Sequence, residues 1–530
     1  MSSRKSLAPP QKLFTAAQVK ALDRLAIESI PLPGFELMKK AGREAFRALL
    51  KYWPRVTSVS VLCGGGNNGG DGYVIAKIAK DKGLDVQLLS LVDPASLKGE
   101  AHDAFVMAQQ AGVAVHLWSE STELRGEVIV DALLGIGLKG AVREHYVQAI
   151  QAINATQRPV LAVDIPSGLC SDTGSVLGVA VVATVTIAFI GMKRGLVTGQ
   201  APNYCGELVF ADLSLPESLS DALVSREYLT DWAQLKPALP ARQPAIHKGV
   251  CGHVLVIGGN TGMGGAALLA GEAALRSGAG MVTVATHAEH VSAFLARRPE
   301  LMVKGVRNGA DLQPLLEKST VVVLGPGLGR DAWAQQLKQA ALRYTEENNL
   351  PMVLDADALN LIAEGPALPP RKNWVLTPHP GEAARLLGCT SAEIEQDRYQ
   401  SVRRLQSKFG GAIVLKGAGN LVAQTCDDER FAGQETPPVP SEDESQKAEI
   451  WVIQGANPGM ATAGMGDVLS GLLGALIAQK MDHRILVPLG VGLHQEAGRL
   501  ACQQKGVFSM LATDVIDALG LALAPSALVR

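Results

Sequence analysis

The sequence predicts an α/β protein with mainly parallel sheets, and three observations lead to this fold class. Apolar runs of four to eight residues alternate with helical patterns along most of the 530-residue chain. Such alternation is typical of parallel sheets covered by helices on both faces. Aromatic residues make up only 4% of the chain while there are 56 glycines, which suits Val/Ile/Leu-rich strands joined by tight loops. Hydrophobic residues reach 47%, enough for large cores.

A break in the alternation divides the chain into two predicted domains. Between residues 213 and 250 the pattern gives way to LSLPESLS and KPALPARQPAIHKG, which are rich in Pro, Ser and charged residues. We therefore expect a three-layer domain over residues 1–225 and a second α/β domain over residues 226–530. The predicted strands are 57–63, 86–91, 127–131, 159–164, 180–190 and 207–211, then 253–259, 281–286, 321–327, 353–357, 374–379 and 412–417. Thr15, followed by Gln18, forms a capping-box signature for a helix ahead of these strands.

The charge balance argues against nucleic-acid and membrane partners. The formal net charge is −2, which gives no electrostatic attraction to phosphate backbones or anionic lipids. The uncharged stretch 176–192, VLGVAVVATVTIAFIGM, could be considered a membrane span. It is short for that role and rich in β-branched residues, so a buried strand is the better interpretation. Seven scattered cysteines without a CxxC pair indicate reduced thiols, and we expect a cytoplasmic protein.

A glycine-rich loop, CGGGNNGGDGYVIA at residues 63–76, follows an apolar run. Such loops bring backbone N–H groups close to a phosphate, but this one lacks the Gly-Lys-Ser/Thr ending of a P-loop. Gly64, Gly66 and Gly69 satisfy GxGxxG, and Asp93 follows as in dinucleotide-binding folds, so an ordinary Rossmann dehydrogenase is one alternative. A glycine turn with Asn in left-handed positions is another. The loop also carries polar residues where a Rossmann fold uses small or apolar ones. These residues are Asn67, Asn68 and Asp71.

Two further predicted strands end in polar residues. Asp131 ends one strand and precedes the glycine loop from Gly135 to Gly140; Asp164 ends another, with Ser167 three residues later. A single Asp there often only caps the next helix. Because the carboxyl ends of parallel strands open on one edge, however, several polar ends together predict a Rossmann-like ligand site.

The residue types at this edge limit its chemistry. Asn68, Asp131 and Ser167 supply only oxygen atoms and one formal negative charge, which suits a hard cation of low charge better than zinc or copper. Asp164 remains as the candidate general acid or base. Because no His–Ser pair or reactive cysteine accompanies it in the sequence, acyl transfer is poorly supported.

The motifs FTAAQVKALDRLAI, GFELMKKAG, GGGNNGGDGYVIA, VDALLGIGLKG and AVDIPSG resemble the NAD(P)H-hydrate epimerase domain family over residues 13–215. The resemblance implies a substrate hydrated at the nicotinamide ring and epimeric at the hydrated carbon. It also implies a potassium ion held by Asn68, Asp131 and Ser167, with Asp164 at the reacting end of the substrate. The other implied substrate contacts are Asn67, Asn68, Gly69, Gly70, Asp71, Gly135, Ile136, Gly137, Leu138, Lys139, Gly140 and Ala141.

The second predicted domain has three glycine-rich loops. GGNTGMGG (258–265) and GPGLG (325–329) could reflect only close packing of helix on sheet. NPGMATAGMGDVLSGLLGAL (457–476) places Asp467 at the start of an apolar helix, where free N–H groups attract an anion. Asp467 is then a candidate base toward a hydroxyl, with Gly464 and Gly466 leaving room for phosphate oxygens. A helix N-cap is the alternative role. Lys416 could neutralise a nucleotide phosphate or simply be an exposed lysine in a turn.

The motifs VLDADALN, TPHPGE, VLKGAGN and GMGDVLSG resemble the ribokinase-like fold, and specifically its NAD(P)H-hydrate dehydratase branch, over residues 235–525. The resemblance implies water loss from the S epimer at the expense of a nucleotide, ADP in most bacterial members and ATP in eukaryotic ones; we also expect Mg²⁺. The implied substrate contacts are Ala266, Gly327, His379 and Asp467. The implied nucleotide contacts are Lys416, Gly417, Ala418, Gly419, Asn420 and Gly466. Asn420 replaces a common Thr, and Met465 replaces the Thr of many ribokinase-like kinases, which weakens a kinase interpretation.

Together the two resemblances predict a bifunctional enzyme that repairs hydrated NADH and NADPH, since an epimerase is useful beside a dehydratase that consumes only the S form. The alternatives are a kinase of a small alcohol or vitamin, and an N-terminal binding module like those of RNA-processing scaffold proteins. The joint presence of Asp131, Asp164 and Ser167 argues against the module. A bacterial-looking fusion favours ADP, and we expect a homo-oligomer. The acidic segment 427–449 is predicted to be a solvated hairpin tip or mobile loop without chemistry of its own.

Overall fold

The computed structural model describes residues 11–29, 32–425 and 448–524, and these residues form two compact units. The N-terminal unit comprises Gln11–Glu227, and the C-terminal unit begins at Tyr228. The boundary predicted between residues 225 and 226 lies two residues before this division.

The N-terminal unit is built on a seven-stranded parallel sheet. Its strands follow the order β4-β3-β2-β5-β6-β7-β9, and β1 pairs separately with β8. The elements are β1 (Gln11–Phe14), α1 (Ala16–Ser29), α2 (Gly34–Tyr52), β2 (Ser58–Cys63), α3 (Asn67–Asp81), β3 (Asp85–Ser90), α4 (Gly99–Gln110), β4 (Val115–Leu117), β5 (Val128–Ala132), α5 (Glu144–Ala155), β6 (Val160–Val163), β7 (Val185–Phe189), β8 (Met192–Lys193), β9 (Glu207–Ala211) and α6 (Glu217–Asp221).

Both faces of this sheet are covered, as the three-layer prediction requires. Val59 and Val61 of β2 pack into one core with residues of α2, α3 and α4. Leu62, the residue after Val61, points to the opposite face and packs with residues of α5, because successive side chains of a strand alternate between faces. The predicted capping box is also present: Thr15 N donates to Gln18 Oε1 at 2.9 Å and Gln18 N donates to Thr15 Oγ1 at 3.2 Å.

The C-terminal unit is built on a larger sheet. Its parallel part has the order β13-β12-β11-β14-β15-β16-β17, and β18 and β19 extend it antiparallel, with β10 beside β19. The elements are β10 (Glu227–Thr230), α7 (Trp232–Leu235), β11 (His253–Ile257), α8 (Gly264–Arg276), β12 (Met281–Thr286), α9 (Val291–Arg297), β13 (Met302–Gly305), α10 (Gln313–Leu316), β14 (Val321–Leu324), α11 (Ala332–Glu347), β15 (Met352–Leu354), α12 (Asp357–Ala363), β16 (Trp374–Leu376), α13 (Pro380–Leu387), α14 (Ser391–Gln396), α15 (Arg398–Phe409), β17 (Ala412–Leu415), β18 (Asn420–Thr425), β19 (Ala448–Ile453), α16 (Met465–Ala478), α17 (His483–Lys505) and α18 (Ala512–Leu523).

Val254 and Val256 of β11 share a core with α8 and α16, while Leu255 and Ile257 are fully buried as well. A central strand buried on both faces explains why this segment is continuously apolar. The α/β fold class is therefore confirmed in both units.

The predicted strands all exist, but several are shorter than predicted. The 180–190 strand is only Val185–Phe189, and the 353–357 strand ends at Leu354, so that Asp357 already belongs to α12. Residues 427–447 of the acidic segment lie outside the described residues, whereas Ala448 and Glu449 belong to β19 and not to a loop. In the part of the chain that the structure describes, no helix combines the length and apolar character that a membrane crossing needs.

Two candidate active sites

The glycine loop after β2 forms the first part of the N-terminal site. α3 starts at Asn67, directly after Gly66, and a Cβ built on Gly66 would meet no described atom within 4 Å. By contrast, a Cβ on Gly64 would lie 1.9 Å from the Leu133 carbonyl oxygen, and one on Gly69 would lie 2.0 Å from that of Gly64. Gly64 and Gly69 are thus required for close packing, whereas Gly66 leaves open space at the start of the helix.

The other signals of a dehydrogenase fingerprint have local explanations. Asp93 accepts a hydrogen bond from Ala95 N at 3.0 Å and caps a short 3₁₀ turn. The five residues of the NNGGD motif lie in the first turns of α3. The predicted contacts from Gly135 to Ala141 form an irregular loop after β5 that becomes exposed toward Ala141.

The three predicted potassium ligands converge around the end of β5. Asp131 is fully buried; its Oδ1 accepts from Ser167 Oγ at 2.6 Å and its Oδ2 from Ser167 N at 2.8 Å. Ser167 Oγ in turn accepts from Leu134 N at 2.8 Å. Asn68 touches the next residue of that segment, since a Cβ on Gly135 would lie 3.2 Å from the Asn68 Cβ.

Two polar features of this cluster stand out. Both side-chain polar atoms of Asn68 are buried without a hydrogen-bond partner among the described residues. Burial raises the pKa of Asp131 to about 6, although hydrogen bonds from Ser167 and Leu133 favour its charged form. Buried polar groups without partners are uncommon in folded proteins and call for an explanation.

Asp164 lies directly after β6 and is held by a buried lysine. Its backbone has φ +67°, a left-handed conformation that is uncommon outside glycine, though less so for Asp. Asp164 Oδ1 accepts from Lys193 Nζ, in a short contact, and from Phe189 N at 3.3 Å. Lys193 Nζ also donates to Phe189 O at 3.1 Å. The Lys193 side chain is 0% exposed and that of Asp164 is 15% exposed.

Two other carboxyls interact electrostatically with this ion pair. Burial and the charge of Asp164 raise the pKa of Asp23 to about 6, against the opposing effect of Lys193. Burial, Asp164 and Asp23 together raise the pKa of Asp71 well above its ordinary value. The Lys193 ammonium thus opposes the mutual repulsion of three carboxyls, Asp164, Asp23 and Asp71.

The glycine loops after β11 and β14 face each other in the C-terminal unit. Asn260 N donates to Gly327 O at 2.7 Å and Gly259 N donates to Pro326 O at 2.9 Å. A Cβ on Gly327 would lie 3.1 Å from the Ala266 Cβ and 2.4 Å from Met263 O. The predicted substrate contacts Ala266 and Gly327 are therefore neighbours, and close packing is one reason for the glycine at 327.

α16 brings Asp467 and Gly466 to the second site. The N-cap of α16 is Gly464, at φ +89°, and Asp467 is the third residue of the helix without a capping hydrogen bond. The alternative that Asp467 is the N-cap is therefore wrong. Burial and the nearby charge of Asp355 raise the pKa of Asp467 to about 7, opposed by Lys416. Lys416 lies close to the start of this helix: a Cβ built on Gly466 would be 3.2 Å from the Lys416 Nζ.

Lys416 is the centre of a charged network. Its Nζ lies 2.8 Å from Asp355 Oδ1 and 3.8 Å from Glu382 Oε2, and its side chain is only 20% exposed. Although burial lowers the pKa of Lys416, Asp355 and Glu382 outweigh this effect and raise it. The alternative of an exposed lysine in a turn is therefore wrong. Asp355 is 1% exposed and also accepts from the Ser470 hydroxyl.

His379 and the lysine loop complete this site. His379 is the N-cap of α13: its Nδ1 accepts from Gly381 N at 3.0 Å, and its own N donates to Glu382 Oε2 at 2.8 Å. Burial and the charge of Lys416 lower the pKa of His379, and burial raises the pKa of Glu382 to about 7. Asn420 Oδ1 accepts from Gly417 N at 3.1 Å and so closes the loop that follows Lys416.

Both units of the chain are similar to known protein families. Residues 34–195 match the family model described as YjeF-related protein N-terminus, and residues 254–437 and 444–520 match the model described as NAD(P)H-hydrate dehydratase. The bifunctional NAD(P)H-hydrate repair enzyme Nnr of Coxiella burnetii is 45% identical, with 97% of this chain and 99% of that protein covered. The same-named protein of Escherichia coli K12 is 42% identical over 96% of this chain and 93% of its own length.

The chain belongs to the bifunctional NAD(P)H-hydrate repair enzymes. Among solved structures, the ADP/ATP-dependent NAD(P)H-hydrate dehydratase of Bacillus subtilis, co-crystallised with ATP/Mg²⁺, is 27% identical, covers 55% of this chain and 95% of its own, and has a TM-score of 0.47.

Membership of the repair-enzyme family confirms the prediction of a two-activity enzyme with isomerase and lyase domains. The relatives match along both units, which disfavours the single-activity kinase and the N-terminal binding module. Within the repair enzyme, the structure brings together Asn68, Asp131 and Ser167 in one site and Lys416, Gly466 and Asp467 in the other.

The sequence interpretation missed four charged residues of these sites: Asp23, Lys193, Asp355 and Glu382. Asp355 directly follows β15, so the strand-end rule that identified Asp131 and Asp164 would have found it as well. Lys193 is the first charged residue after the apolar 176–192 stretch, and this position is the one sequence feature that could have drawn attention to it. The pattern around Asp23 carries no comparable signal.

Proposed function

We propose that this chain interconverts the R and S hydrates of NADH and NADPH in its N-terminal unit and dehydrates the S hydrate in its C-terminal unit. Residues 1–225 then act as the epimerase and residues 226–530 as the dehydratase. The family assignment supports both activities, and each unit contains its own cluster of polar side chains at the carboxyl ends of parallel strands, where α/β sheets bind ligands.

Asp164 is the proposed catalytic residue of the epimerase. Epimerisation requires the hydrated carbon to exchange the face that bears its hydroxyl, and proton transfer to or from that hydroxyl needs a positioned acid or base. Asp164 is partly accessible and fixed by two donors, Lys193 Nζ and Phe189 N. The start of α3 and the Gly135–Ala141 loop are the proposed walls of the substrate site.

Potassium is the cofactor proposed for the epimerase. Its ligands would be Asn68, Asp131 and Ser167, and the fit rests on the two unpartnered buried polar atoms of Asn68 beside the buried Asp131 carboxyl. When bound, such an ion would supply a positive charge that stabilises the ionised form of Asp131 and gives the Asn68 oxygen a partner.

Asp467 is the proposed base of the dehydratase. Transfer of the terminal phosphoryl group of ADP or ATP to the ring hydroxyl, with loss of the hydroxyl proton to Asp467, converts a poor leaving group into phosphate. Expulsion of phosphate and loss of the neighbouring ring proton then restore the reduced nicotinamide. Ala266, Gly327 and His379 are the proposed substrate contacts.

The nucleotide is proposed to lie along the loop Lys416–Asn420 and Gly466, where Lys416 adds a positive charge at the start of α16. Mg²⁺ is proposed to arrive with the nucleotide, since Mg²⁺ in such sites is bound largely by phosphates and water.

The observation that carries the proposal is the position of the buried Asp467 in the first turn of α16, where Lys416 Nζ also lies. The test is recovery of reduced-nicotinamide absorbance from hydrated NADH containing both epimers, measured with ADP, with ATP and without nucleotide. Full recovery with one nucleotide is expected and identifies the phosphoryl donor. Recovery limited to the S fraction would refute the epimerase, and no recovery would refute the dehydratase.

A further inference from the structure

Lys193 is fully buried, yet it lies outside the sequence motifs that identify the two domain families. It lies on the two-residue strand β8, paired with β1 through the register Phe14 to Lys193. Burying an ammonium group without compensation is costly, so such a lysine is retained only with a partner. Here the partners are the Asp164 carboxylate and the Phe189 carbonyl.

Asp164 needs this support because its surroundings disfavour a negative charge. Asp23 on α1 and Asp71 on α3 both interact electrostatically with Asp164, and like charges raise the cost of ionising each carboxyl. The cations that oppose this repulsion are Lys193 and, at Asp23 only, the exposed Lys20. Of these, only Lys193 contacts Asp164.

We propose that Lys193 is a positioning residue of the epimerase, which fixes the Asp164 carboxylate and stabilises its negative charge against Asp23 and Asp71. This inference rests on the proposed epimerase function. Two geometric features support it. Lys193 Nζ and Phe189 N both donate to Asp164 Oδ1, and Lys193 Nζ is itself held by a hydrogen bond to Phe189 O at 3.1 Å.

The proposal predicts how the pH profile responds to loss of the ammonium. Lys193 places a positive charge in contact with the Asp164 carboxylate, which stabilises the negative charge that a base needs. Without this charge, repulsion from Asp23 and Asp71 is unopposed at this position. Since an opposite charge at contact distance shifts a carboxyl by about 1–3 pH units, the acid limb of the profile should move upward by a similar amount.

The experiment measures R-to-S conversion by chromatographic separation of the epimers, in full-length protein without nucleotide, between pH 5.5 and 9. Lys193→Met keeps an unbranched side chain of similar length but removes the charge. It is expected to lower kcat/KM about 100-fold at low pH, with partial recovery above pH 8. Lys193→Arg should retain the wild-type position of the limb. Lys20→Met, a lysine near Asp23 without contact to Asp164, is the matched control and should leave the limb in place.

A Lys193→Met profile that falls equally at every pH would overturn the proposal, because a merely structural lysine predicts that result. Nucleotide-dependent dehydration of the S hydrate by the same preparations reports whether the chain is folded. If Lys193→Met does not fold, Lys193→Arg decides alone: a limb displaced upward despite the retained charge would refute the role. If wild-type protein does not interconvert the epimers, the epimerase function itself fails, which is distinguishable from failure of the Lys193 inference.

Discussion

The dehydratase should show a steep pH dependence in the neutral range. Asp467 is buried beside Asp355, and the two effects raise its pKa to about 7 from the ordinary 3.8. A base acts only in its ionised form, so the rate should follow ionisation of Asp467. The direction of the pH effect follows from this: lowering the pH through 7 protonates Asp467 and slows dehydration.

The size of the effect follows from one titrating group. With a pKa near 7, about 9% of Asp467 is ionised at pH 6 and about 91% at pH 8, a rise of about tenfold. With its ordinary pKa, ionisation would change by about 1% over the same interval. The bound nucleotide adds negative charge nearby, which moves the midpoint upward and not downward.

The assay is the initial rate of reduced-nicotinamide formation from purified S hydrate at saturating nucleotide, between pH 5.5 and 9. Asp467→Asn should reduce the rate by a factor of about 100 or more, and the remaining rate should no longer fall between pH 8 and pH 6. Asp517→Asn, which alters an exposed carboxylate of α18 in the same unit, should retain the wild-type profile. A wild-type rate that stays constant between pH 6 and 8 would refute the assignment of Asp467 as a base with a raised pKa.

Further predictions concern both sites. Asp164→Asn should abolish epimerisation but leave nucleotide-dependent repair of the S hydrate intact; loss of both activities in a folded protein would contradict two separate sites. Asn68→Ala should raise the potassium concentration needed for half-maximal epimerase activity, and an unchanged requirement would exclude Asn68 as a ligand. Ser470→Ala removes a donor to the buried Asp355 and should lower the free energy of unfolding by about 1–3 kcal/mol, visible as a lower urea midpoint. The pKa of Asp467 is raised in the folded state, so its carboxyl ionises more readily in the unfolded chain. The free energy of unfolding therefore falls as the pH rises from about 4 to about 7. Asp467→Asn should therefore stabilise the fold by about 1–3 kcal/mol at pH 8 but not at pH 4, as measured by thermal unfolding.

The fold was predictable because the strongest signals are local. Buried parallel strands such as β11 and β14 read as continuous apolar runs, and the Thr15–Gln18 box marks a helix start within four residues. Short edge strands escaped prediction. β8 has only two residues, and three of the four residues of β13 are exposed, so neither produces a long apolar run.

The sites were predictable at strand ends but not in their electrostatics. Asp131 and Asp164 could be found because the rule for parallel sheets concerns position along the chain. That Asp164 pairs with Lys193, 29 residues later, or Asp355 with Lys416, 61 residues later, depends on which elements pack together. The same limit applies to the raised pKa of Asp467, whose main cause is burial and not any neighbour in sequence.

The two sites use one buried lysine among several carboxyls, but they assign the catalytic carboxyl differently. In the N-terminal unit the proposed catalytic group, Asp164, is the carboxyl that the lysine contacts. In the C-terminal unit Lys416 contacts Asp355, and the proposed base, Asp467, is a second carboxyl left beside that pair with its pKa raised. Because Asp467 stands beside an already paired carboxylate, its charge is lost at a higher pH than that of an ordinary Asp. Moderate acidification, from about pH 7.5 to about pH 6, should therefore slow dehydration, so that removal of the S hydrate becomes limiting for repair.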